Sequence, residues 1–260
     1  MPEGPECRIT VDFLNKNLQS TIINKGIFCG GKYTDEYPSG YKIFDQFLPA
    51  KVVEINCKGK FIYFTLKNNN KYMYVLHSLM LTGNWQNQYD NNSKCFIELE
   101  NNETIWYSDP RGFGTFSFTE NFTEIEDKLN KLGPDIMSPQ FTLPYFKKII
   151  KLNNNLNITS FLMKQEIISG CGNYIKAEVL FYSKISPLRK ISSLKSSEIE
   201  LLFEGLVIIP RLSYNNRLLA LESETDELNF RNLKVYGNNN VTKTKTADGR
   251  ITYWDSSVQK

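Results

Sequence analysis

The sequence is poor in the residues that build metal sites and catalytic triads. It contains one histidine and five cysteines, and no two cysteines have C-x-x-C spacing. A structural zinc site needs four ligands that usually occur in closely spaced pairs, so no such site is expected. With His77 as the single histidine and no cluster of acids, a catalytic triad or a histidine-based metal centre is not expected either. Instead, His77 is expected in or beside the core, and the scattered thiols favour a reducing compartment.

Other common features are also missing. No apolar run approaches the ~18 residues of a membrane span, and the start of the chain is too polar and too acidic for a signal peptide. We therefore expect a soluble intracellular protein without a membrane partner, its compartment left open. Neither a P-loop nor a dinucleotide-binding fingerprint occurs. The net charge of +3 permits nucleic acid as a partner, but an ordinary solvated surface explains it equally well.

The N-terminal half has the pattern of a helix followed by many short strands. Of the 260 residues, 41% are hydrophobic, which is enough for a substantial core. Apolar residues recur at helical spacing from Glu6 to Leu18, with Pro2 and Pro5 before the helix or in its first turn. Six runs rich in β-branched and aromatic residues follow, and they predict an antiparallel β-sandwich or barrel. These runs are KVVEI, KFIYFTL, YMYVL, CFIEL, TIWYS and GTFSF.

The pattern changes after Asn121. The stretch LGPDIMSP is typical of a linker, and Ser138-Pro139 is expected to open a helix. Ser197 to Glu200 forms a capping-box pattern before LLFEGLVII, and TKTKTADGRITYW predicts a terminal hairpin. The fold class is therefore α+β. The predicted divisions are a β-sandwich domain at 1–121, a linker at 122–138, a helical domain at 139–235 and a terminal hairpin at 236–260.

The opening stretch MPEGPE offers a nucleophile. Removal of the initiator methionine would leave Pro2 with a free secondary amine, whose pKa near ~8 keeps a useful fraction unprotonated at neutral pH. Such an amine can attack an aldehyde-level carbon and form an iminium that withdraws electrons. Glu3 is placed to donate or relay a proton. Taken alone, the stretch is more simply explained as an acid-rich first turn favoured by the helix dipole.

The stretch SDPRGFGTFSF predicts a tight turn. Asp109-Pro110 would begin it, and the glycines that flank Phe113 permit unusual backbone geometry. An arginine and a phenylalanine on such a turn, Arg111 and Phe113, could enter a nucleic-acid duplex and fill a gap between bases. The ordinary alternative is a hairpin with a buried Phe113.

The stretch LMKQEIISGCGNYIKAEVLF predicts two helical pieces around a glycine-rich turn. Backbone N–H groups at a helix start bind anions, and Asn173 adds a side-chain amide, so this stretch could hold a phosphate. The alternative is a helix C-cap followed by an N-cap.

Two cationic side chains elsewhere in the chain could also bind a phosphate: Lys60 at a strand start and Arg250 in the terminal hairpin. Each is equally consistent with simple solvation.

Taken together and in order, these stretches resemble the Fpg/Nei superfamily of DNA glycosylases, over nearly the whole chain. MPEGPE resembles the opening of its endonuclease VIII branch, and KGKFIYF resembles the lysine-bearing strand. YSDPRGFGTF is similar to the D-P-R-x-F-G turn. The G-x-G-N core with Glu178 matches the helix–two-turn–helix (H2TH) motif, and GRITYWDSSVQK resembles the terminal finger with its arginine.

The resemblance implies roles for particular residues. Pro2 attacks C1′ of the damaged nucleotide and forms a Schiff base, and Glu3 assists base departure and sugar opening. Lys60 holds phosphate and helps proton transfer, and Arg250 clamps the backbone from the finger. In this scheme the catalytic residues are Pro2, Glu3, Lys60 and Arg250, with support from Glu6 and Glu178.

The resemblance also implies DNA-binding residues. Asn173 grips the phosphate beside the lesion, and Arg111 and Phe113 are two of three void-filling residues. The third lies in HSLMLTGNW. Aligning the Thr82-Gly83 pair gives Leu81, whereas aligning from His77 gives Met80; Leu81 is preferred because the loop tip sets the register.

The implied function is that of a bifunctional DNA glycosylase and abasic-site lyase of base-excision repair. It would remove oxidised bases and cut the strand by β,δ-elimination. The partner is damaged double-stranded or single-stranded DNA, the protein acts as a monomer, and no metal or other cofactor is required.

Two departures from the family pattern matter. No cysteine follows Cys171, so the finger is expected to be zincless and held by packing, for example of Tyr253 and Trp254. The segment between Arg211 and Tyr236 is short and lacks the loop that caps 8-oxoguanine in the formamidopyrimidine branch. With PEGPE at the start, this favours oxidised pyrimidines, with ring-opened purines as further substrates.

Three alternatives stay open at this point. A non-catalytic damaged-DNA-binding protein would need Asn173, Arg250 and Phe113 but not Pro2 or Glu3. A glycosylase of the same class could prefer 8-oxoguanine or formamidopyrimidines. An unrelated hydrolase with a β domain and a helical domain is the third alternative.

Overall fold

The computed structural model describes residues 1–222 and 233–260, with the backbone alone described at 220–222. The chain divides into two compact units. The first comprises residues 1–2 and 6–131, and the second comprises residues 3–5 and 132–260. Within the described ranges, no helix has both the length and the apolar character needed to cross a membrane.

An antiparallel sheet of eight strands forms most of the first unit. Its strands are β1 (Ile22–Phe28), β2 (Ala50–Lys58), β3 (Phe61–Asn68), β4 (Lys71–Ser78), β5 (Asn84–Gln86), β6 (Ser93–Leu99), β7 (Thr104–Ser108) and β8 (Thr115–Thr119). Its helices are α1 (Gly4–Leu18, whose first two residues belong to the second unit), α2 (Tyr41–Phe47) and α3 (Phe122–Asn130). The strand order is β5-β7-β6-β1-β2-β3-β4-β8, and every neighbouring pair is antiparallel.

The predicted β-sandwich and its six strands are confirmed. The opening helix also forms as predicted, and Pro5 lies in its first turn, where a missing N–H costs no helical hydrogen bond. Two strands were not predicted, β1 and β5. In β1, Lys25 and Gly26 interrupt the apolar alternation, and a register shift falls between Ile23 and Lys25. In β5 only three residues pair. Neither stretch therefore carries a clear period-two pattern.

The core of the first unit is built by alternation along the central strands. Ile62, Phe64 and Leu66 of β3 are each buried, and so are Met73 and Val75 of β4. Because successive side chains of a strand point to opposite faces, this spacing places one face of the sheet in the core. The α1 side chains at helical spacing pack into the same cluster.

His77 lies in this core, as the sequence predicts. Its Nδ1 lies 2.9 Å from the carbonyl oxygen of Thr115, and its Nε2 accepts a hydrogen bond of 3.1 Å from the Trp85 indole N–H. The Nδ1 therefore carries the proton, since the carbonyl can only accept. The ring stacks on Phe116 with centroids 4.1 Å apart. Burial lowers the pKa of His77 to about 4, although the Thr115 hydrogen bond and the charge of Asp109 favour protonation.

This burial makes stability depend on pH. The pKa of His77 is lower in the folded chain than in the unfolded chain, so its contribution is complete above about pH 6.5 and is lost as the pH falls toward about 4. The expected loss is about 3 kcal/mol at the acid end. Because the chain has one histidine, its ring resonance in an NMR titration identifies the group directly. Titration of that resonance near pH 6.5 would contradict the assignment, and His77→Phe should flatten the stability curve over this range.

The second unit is helical with a terminal hairpin. Its helices are α4 (Leu143–Leu152), α5 (Ile158–Met163), α6 (Asn173–Tyr182) and α7 (Ser196–Glu222), and its hairpin strands are β9 (Thr242–Lys245) and β10 (Ile251–Trp254). The predicted hairpin is confirmed, with Ile251 paired to Lys245 and Trp254 paired to Thr242. The helices enclose a separate apolar cluster that includes Phe146, Phe161 and Leu206.

The segment between the predicted domains differs from a simple linker. Helix α3 lies within the predicted linker of 122–138, and the first unit extends to residue 131. The Asn121 side chain caps this helix by accepting from the Thr123 N–H, and Ile125 is buried. Ser138-Pro139 does not open a helix, which corrects that prediction. The next helix begins at Leu143 because the Thr142 side chain caps it.

The capping box of α7 is displaced from its predicted position. Glu198, rather than Glu200, reaches back along the chain and accepts a 2.7 Å hydrogen bond from the Lys195 N–H. Glu200 instead pairs with Lys147 at 2.6 Å. The helix continues through Pro210 to residue 222. Thus the short segment between Arg211 and Tyr236 begins as helix, and its residues 223–232 lie outside the described residues.

Candidate active site

Glu3 is anchored at the N-terminus of α6. Its Oε1 accepts from the Tyr174 N–H at 2.9 Å and its Oε2 accepts from the Ile175 N–H at 3.2 Å. The Gly4 N–H donates to the Gly170 carbonyl at 2.9 Å, which fixes the backbone beside it. Only 1% of Glu3 is exposed. The backbone N–H groups and the dipole of α6 stabilise negative charge on this carboxylate.

Gly172 leaves the space that this carboxylate occupies. A Cβ at Gly172 would lie 2.2 Å from Cδ of Glu3 and 2.4 Å from its Oε1. Any other residue at 172 would therefore displace the Glu3 carboxylate. The glycine of the G-x-G-N stretch thus has a steric role beyond turn formation.

The sequence predicted a phosphate at this helix start, and the anion bound there is in fact a side chain of the same protein. Glu3 and Tyr174 are 171 positions apart, so no local pattern could reveal the contact. Pro2, half-buried, directly precedes the anchored residue. A backbone held at Glu3 and Gly4 limits the positions that the Pro2 nitrogen can take.

Asn173 and Arg250 lie close together in the second unit. The Asn173 side-chain amide donates to the carbonyl oxygen of Ile251 at 3.1 Å, and Arg250 directly precedes Ile251 with its side chain exposed. Asn173 Oδ1 is buried without a hydrogen-bond partner among the described atoms. A second amide hydrogen of Asn173 remains available for another acceptor. One polar side chain of α6 is therefore linked to the arginine-bearing strand.

Glu178 holds the segment that leads into the hairpin. Its carboxylate accepts from three consecutive backbone N–H groups: those of Lys234 at 2.9 Å, Val235 at 2.9 Å and Tyr236 at 2.7 Å. The residue is 3% exposed. A carboxylate with three N–H donors is well satisfied in the interior, and Glu178 thereby fixes the backbone at Lys234–Tyr236.

In the first unit, the turn that bears Arg111 and Phe113 is organised by Asp109. The Asp109 carboxylate accepts from the Thr82 hydroxyl and, at 2.7 Å, from the Gly114 N–H. The Arg111 guanidinium lies 5.1 Å from the centroid of the exposed Phe113 ring. The alternative of a buried Phe113 is therefore wrong. The two predicted void-filling side chains are presented together on the surface of this unit.

The loop with the third candidate is joined to the same turn. The Thr82 hydroxyl, besides donating to Asp109, accepts from the Arg111 N–H at 3.2 Å. Leu81 precedes Thr82 directly and is half-buried, whereas Met80 is 48% exposed with a φ of 56°. These Thr82 contacts join the two loops, and the choice between Leu81 and Met80 stays a prediction.

Gly114 provides a stability test of this turn. A Cβ there would lie 1.8 Å from the Tyr107 hydroxyl oxygen and 3.1 Å from Asp109 Oδ2. Tyr107 is 1% exposed, so its displacement would disturb the core. We expect Gly114→Ala to reduce the free energy of unfolding by about 2–3 kcal/mol, measured by urea denaturation. Gly112→Ala is the comparison on the same turn: a Cβ there meets nothing within 4 Å, so only the strain of its φ of 66°, about 1 kcal/mol, is expected. Equal losses in both variants would contradict the steric explanation.

Lys60 and Glu6 occupy simpler positions. Lys60 lies in the turn between β2 and β3, next to Gly59, whose φ of 58° forms the turn. Lys60 and Glu6 are both half-buried, and Glu6 lies in the first turn of α1. Both belong to the first unit.

The predicted site residues are divided between the units. The first unit contains Pro2, Glu6, Lys60, Leu81, Arg111 and Phe113, and the second contains Glu3, Asn173, Glu178 and Arg250. Sequence reasoning missed Lys176, a fully buried lysine on α6. The sequence pattern that could have revealed it is a single lysine within the apolar stretch NYIKAEVLF.

Comparison with known proteins identifies the family. Residues 1–116 match the formamidopyrimidine-DNA glycosylase N-terminal domain, and residues 132–212 match the formamidopyrimidine-DNA glycosylase H2TH domain. The formamidopyrimidine-DNA glycosylase of Carboxydothermus hydrogenoformans is 27% identical over the full length of both chains. That of Ureaplasma parvum is 30% identical over 76% of this chain and 74% of the relative.

Solved structures share the fold. The Lactococcus lactis Fpg (MutM), in complex with DNA containing an oxidised pyrimidine, superposes with a TM-score of 0.79 at 21% identity over all of both chains. The MutM (Fpg) protein of Thermus thermophilus gives a TM-score of 0.76 at 21% identity, over 99% of this chain and 98% of the other. Matched in sequence along both domains and in fold over its whole length, this chain belongs to the formamidopyrimidine-DNA glycosylase family of the Fpg/Nei superfamily.

Proposed function

We propose that this protein is a DNA glycosylase and abasic-site lyase of base-excision repair, with Pro2 as its nucleophile and damaged DNA as its substrate. Family membership supports the reaction class. The observation that carries the assignment of residues is the anchoring of Glu3, whose buried carboxylate is bound by two backbone N–H groups directly after Pro2 in the chain. An N-terminus without a function would not need a buried, charged second side chain held in this way.

The first step is displacement of the base. The lone pair of the Pro2 nitrogen attacks C1′ of the damaged nucleotide, and the bond between C1′ and the base breaks. The base leaves with that electron pair, and Glu3 is proposed to relay to it the proton that the Pro2 nitrogen loses on forming the new bond. The bond between C1′ and the ring oxygen then breaks, the ring oxygen takes up a proton from solvent, and the lone pair of the deprotonated nitrogen forms the C1′=N bond of a cationic iminium.

The second step is strand cleavage. The iminium withdraws electrons from C2′, so a base can remove the C2′ proton, and the 3′ phosphate is expelled by β-elimination. A further elimination expels the 5′ phosphate. Glu3, deprotonated after the first step, is the proposed base. Its negative charge is stabilised by the α6 terminus.

The remaining site residues are proposed to hold the DNA. Extrusion of a base costs about a few kcal/mol, and less for a lesion that stacks or pairs poorly. Leu81, Arg111 and Phe113 would offset part of this cost by filling the gap in the duplex. The mutual stacking of the last two on an exposed turn supports this role. Asn173, Arg250 and Lys60 are the proposed phosphate ligands.

We further propose a preference for oxidised pyrimidines, which would place the chain in the endonuclease VIII branch. The support is the opening PEGPE and the absence of a glycine- and threonine-rich stretch between residues 211 and 236. A preference for formamidopyrimidines is the second candidate, because the relatives described above carry that name. A panel of oligonucleotides with thymine glycol, 5-hydroxycytosine, formamidopyrimidine or 8-oxoguanine, each in single and double strands, distinguishes the two.

Trapping with borohydride tests the reaction itself. Borohydride reduces the iminium to a stable amine, so purified protein and an abasic oligonucleotide should form a covalent adduct. Mass spectrometry of the protein first establishes that residue 1 has been removed, and mapping of the adduct should place it on residue 2. Protein with a free Pro2 that binds abasic DNA without forming an adduct would instead be a non-catalytic damage-binding protein.

A further inference from the structure

The terminal hairpin is joined to α6 by a buried ion pair. Lys176 Nζ lies 2.7 Å from Asp248 Oδ2, with side-chain exposures of 0% and 3%. Asp248 lies in the turn between β9 and β10, two residues before Arg250. Lys176 is flanked on α6 by buried apolar residues. A lysine is almost never fully buried unless it is paired, so this contact needs a specific explanation.

Burial opposes the charge on both residues, and each partner favours the charge on the other. Burial is the largest influence on Lys176 and lowers its pKa, with a contribution from the charge of Arg250, while the contact with Asp248 opposes the change. Burial would raise the pKa of Asp248, but hydrogen bonds from Lys176 and Thr246 and the charge of Lys176 outweigh it, and the pKa falls. Each partner thus stabilises the charged form of the other.

The pair also organises the turn itself. The Asp248 carboxylate accepts from the Thr246 hydroxyl, which lies 2.7 Å from the hydroxyl of Thr252 on the opposite strand. The Thr246 N–H donates to the Arg250 carbonyl at 2.9 Å. The backbone carbonyl of Arg250 is therefore tied, through Thr246 and Asp248, to a side chain of α6.

Aromatic packing helps to hold the hairpin, as the sequence predicted, but it acts at the strand ends and not at the turn that bears Arg250. Tyr253 contacts the Tyr236 ring at 5.2 Å, and the Trp254 indole donates to Thr244 at 3.0 Å. Trp254 pairs with Thr242, at the strand ends far from the turn. Aromatic contacts therefore support the base of the hairpin, whereas Lys176 and Asn173 contact the end that bears Arg250.

We propose that Lys176 is a positioning residue, whose ion pair with Asp248 fixes the hairpin on α6 so that Arg250 is presented to a DNA phosphate. The pair supplies a directional link in a hairpin that contains no cysteine. The part of this inference that concerns DNA rests on the proposed function. The part that concerns the hairpin does not.

Hydrogen exchange tests the hairpin without DNA. In Lys176→Met the Asp248 charge is left buried and unpaired, so amides of Ile251–Trp254 should exchange about 10-fold faster or more. Amides of β3, in the first unit, should be unchanged. Lys147→Met is the matched control, because it removes an exposed pair. Unchanged exchange in the hairpin of Lys176→Met would overturn the proposal.

DNA binding tests the link to Arg250. Loss of one phosphate contact should weaken binding of abasic DNA about 10-fold and reduce the slope of log K against log salt by about 1. Lys176→Met and Arg250→Ala should each show both changes, and the double variant should resemble Arg250→Ala alone. Additive losses, or an unchanged salt slope in Lys176→Met, would mean that Lys176 contributes only to stability.

Asp248→Asn is the second variant, for the case that Lys176→Met does not fold. It keeps the shape of the turn and the hydrogen bond with Thr246 but removes the negative charge. Faster hairpin exchange and a reduced salt slope are expected again, and wild-type values for both would overturn the proposal. If the wild-type protein does not bind damaged DNA, the proposed function fails, while the exchange experiment still decides whether the ion pair holds the hairpin.

Discussion

Glu3→Gln is expected to slow release of a damaged base about 10²- to 10⁴-fold, the range found for loss of a positioned acid or base. An amide cannot transfer the proton that the departing base requires. A substrate that is already abasic has no base to lose, so formation of the borohydride-trapped adduct should fall much less. Single-turnover base release and adduct formation, measured on matched oligonucleotides, give the two rates separately.

The matched control is Glu6→Gln, because Glu6 lies three residues later, in the first turn of α1, and is half-buried. It should retain most of the base-release rate. Glutamine at position 3 keeps one acceptor for the two α6 N–H groups, so its unfolding temperature must be compared with wild type. An equal loss of base release and adduct formation in Glu3→Gln, with an unchanged fold, would argue that Glu3 is not the proton donor.

Gly172→Ala is expected to reduce base release about 10²-fold, through displacement of a carboxylate rather than its removal. The new Cβ would overlap the Glu3 carboxyl group, which is the flexible end of a side chain and can move aside. A displacement of about 1 Å in a reacting group can cost this much in rate. The measurement is again single-turnover base release, with circular dichroism to confirm that α6 is intact.

Gly205→Ala, in α7, provides the comparison for this variant. Its Cβ would approach Tyr182 no closer than 3.1 Å, and alanine favours a helix. We expect wild-type activity. A double variant, Glu3→Gln with Gly172→Ala, should be no slower than Glu3→Gln alone, because both changes act on the same carboxylate. A further loss in the double variant would assign Gly172 a role independent of Glu3.

Much of the fold could be predicted from periodicity. The strands with regular alternation, such as β3 and β4, were found because burial of one sheet face requires apolar side chains at every second position. The irregular β1 and the three-residue β5 were missed, since their pairing depends on neighbours distant in sequence. The observed helix starts differ from the predicted ones where several polar residues could serve as the N-cap. Thr142 rather than Ser138 caps α4, and the sequence alone does not distinguish the two.

The residues of the candidate site could be predicted from local sequence, but most of their contacts could not. The Asp109 turn was recognised because its glycines and proline determine local geometry, and the structure adds the Thr82 contact that joins two loops. The anion expected at the start of α6 was a phosphate, whereas the Tyr174 and Ile175 N–H groups bind the Glu3 carboxylate, since a helix terminus binds an anion of any origin. The phosphate contact of Asn173 stays a prediction. Lys176 was missed because its burial is set by Asp248, 72 residues later.

By itself, the sequence determined the chemistry that is available: a proline and a glutamate at the start, an arginine and a phenylalanine on one turn, and a finger without cysteine. It also determined the α+β class, because side-chain period reports local backbone geometry. Only the tertiary structure decided which charges are buried and which groups satisfy them. A buried carboxylate or ammonium is stable only beside a compensating donor or charge, and for Glu3, Glu178 and Lys176 that partner comes from a distant part of the chain.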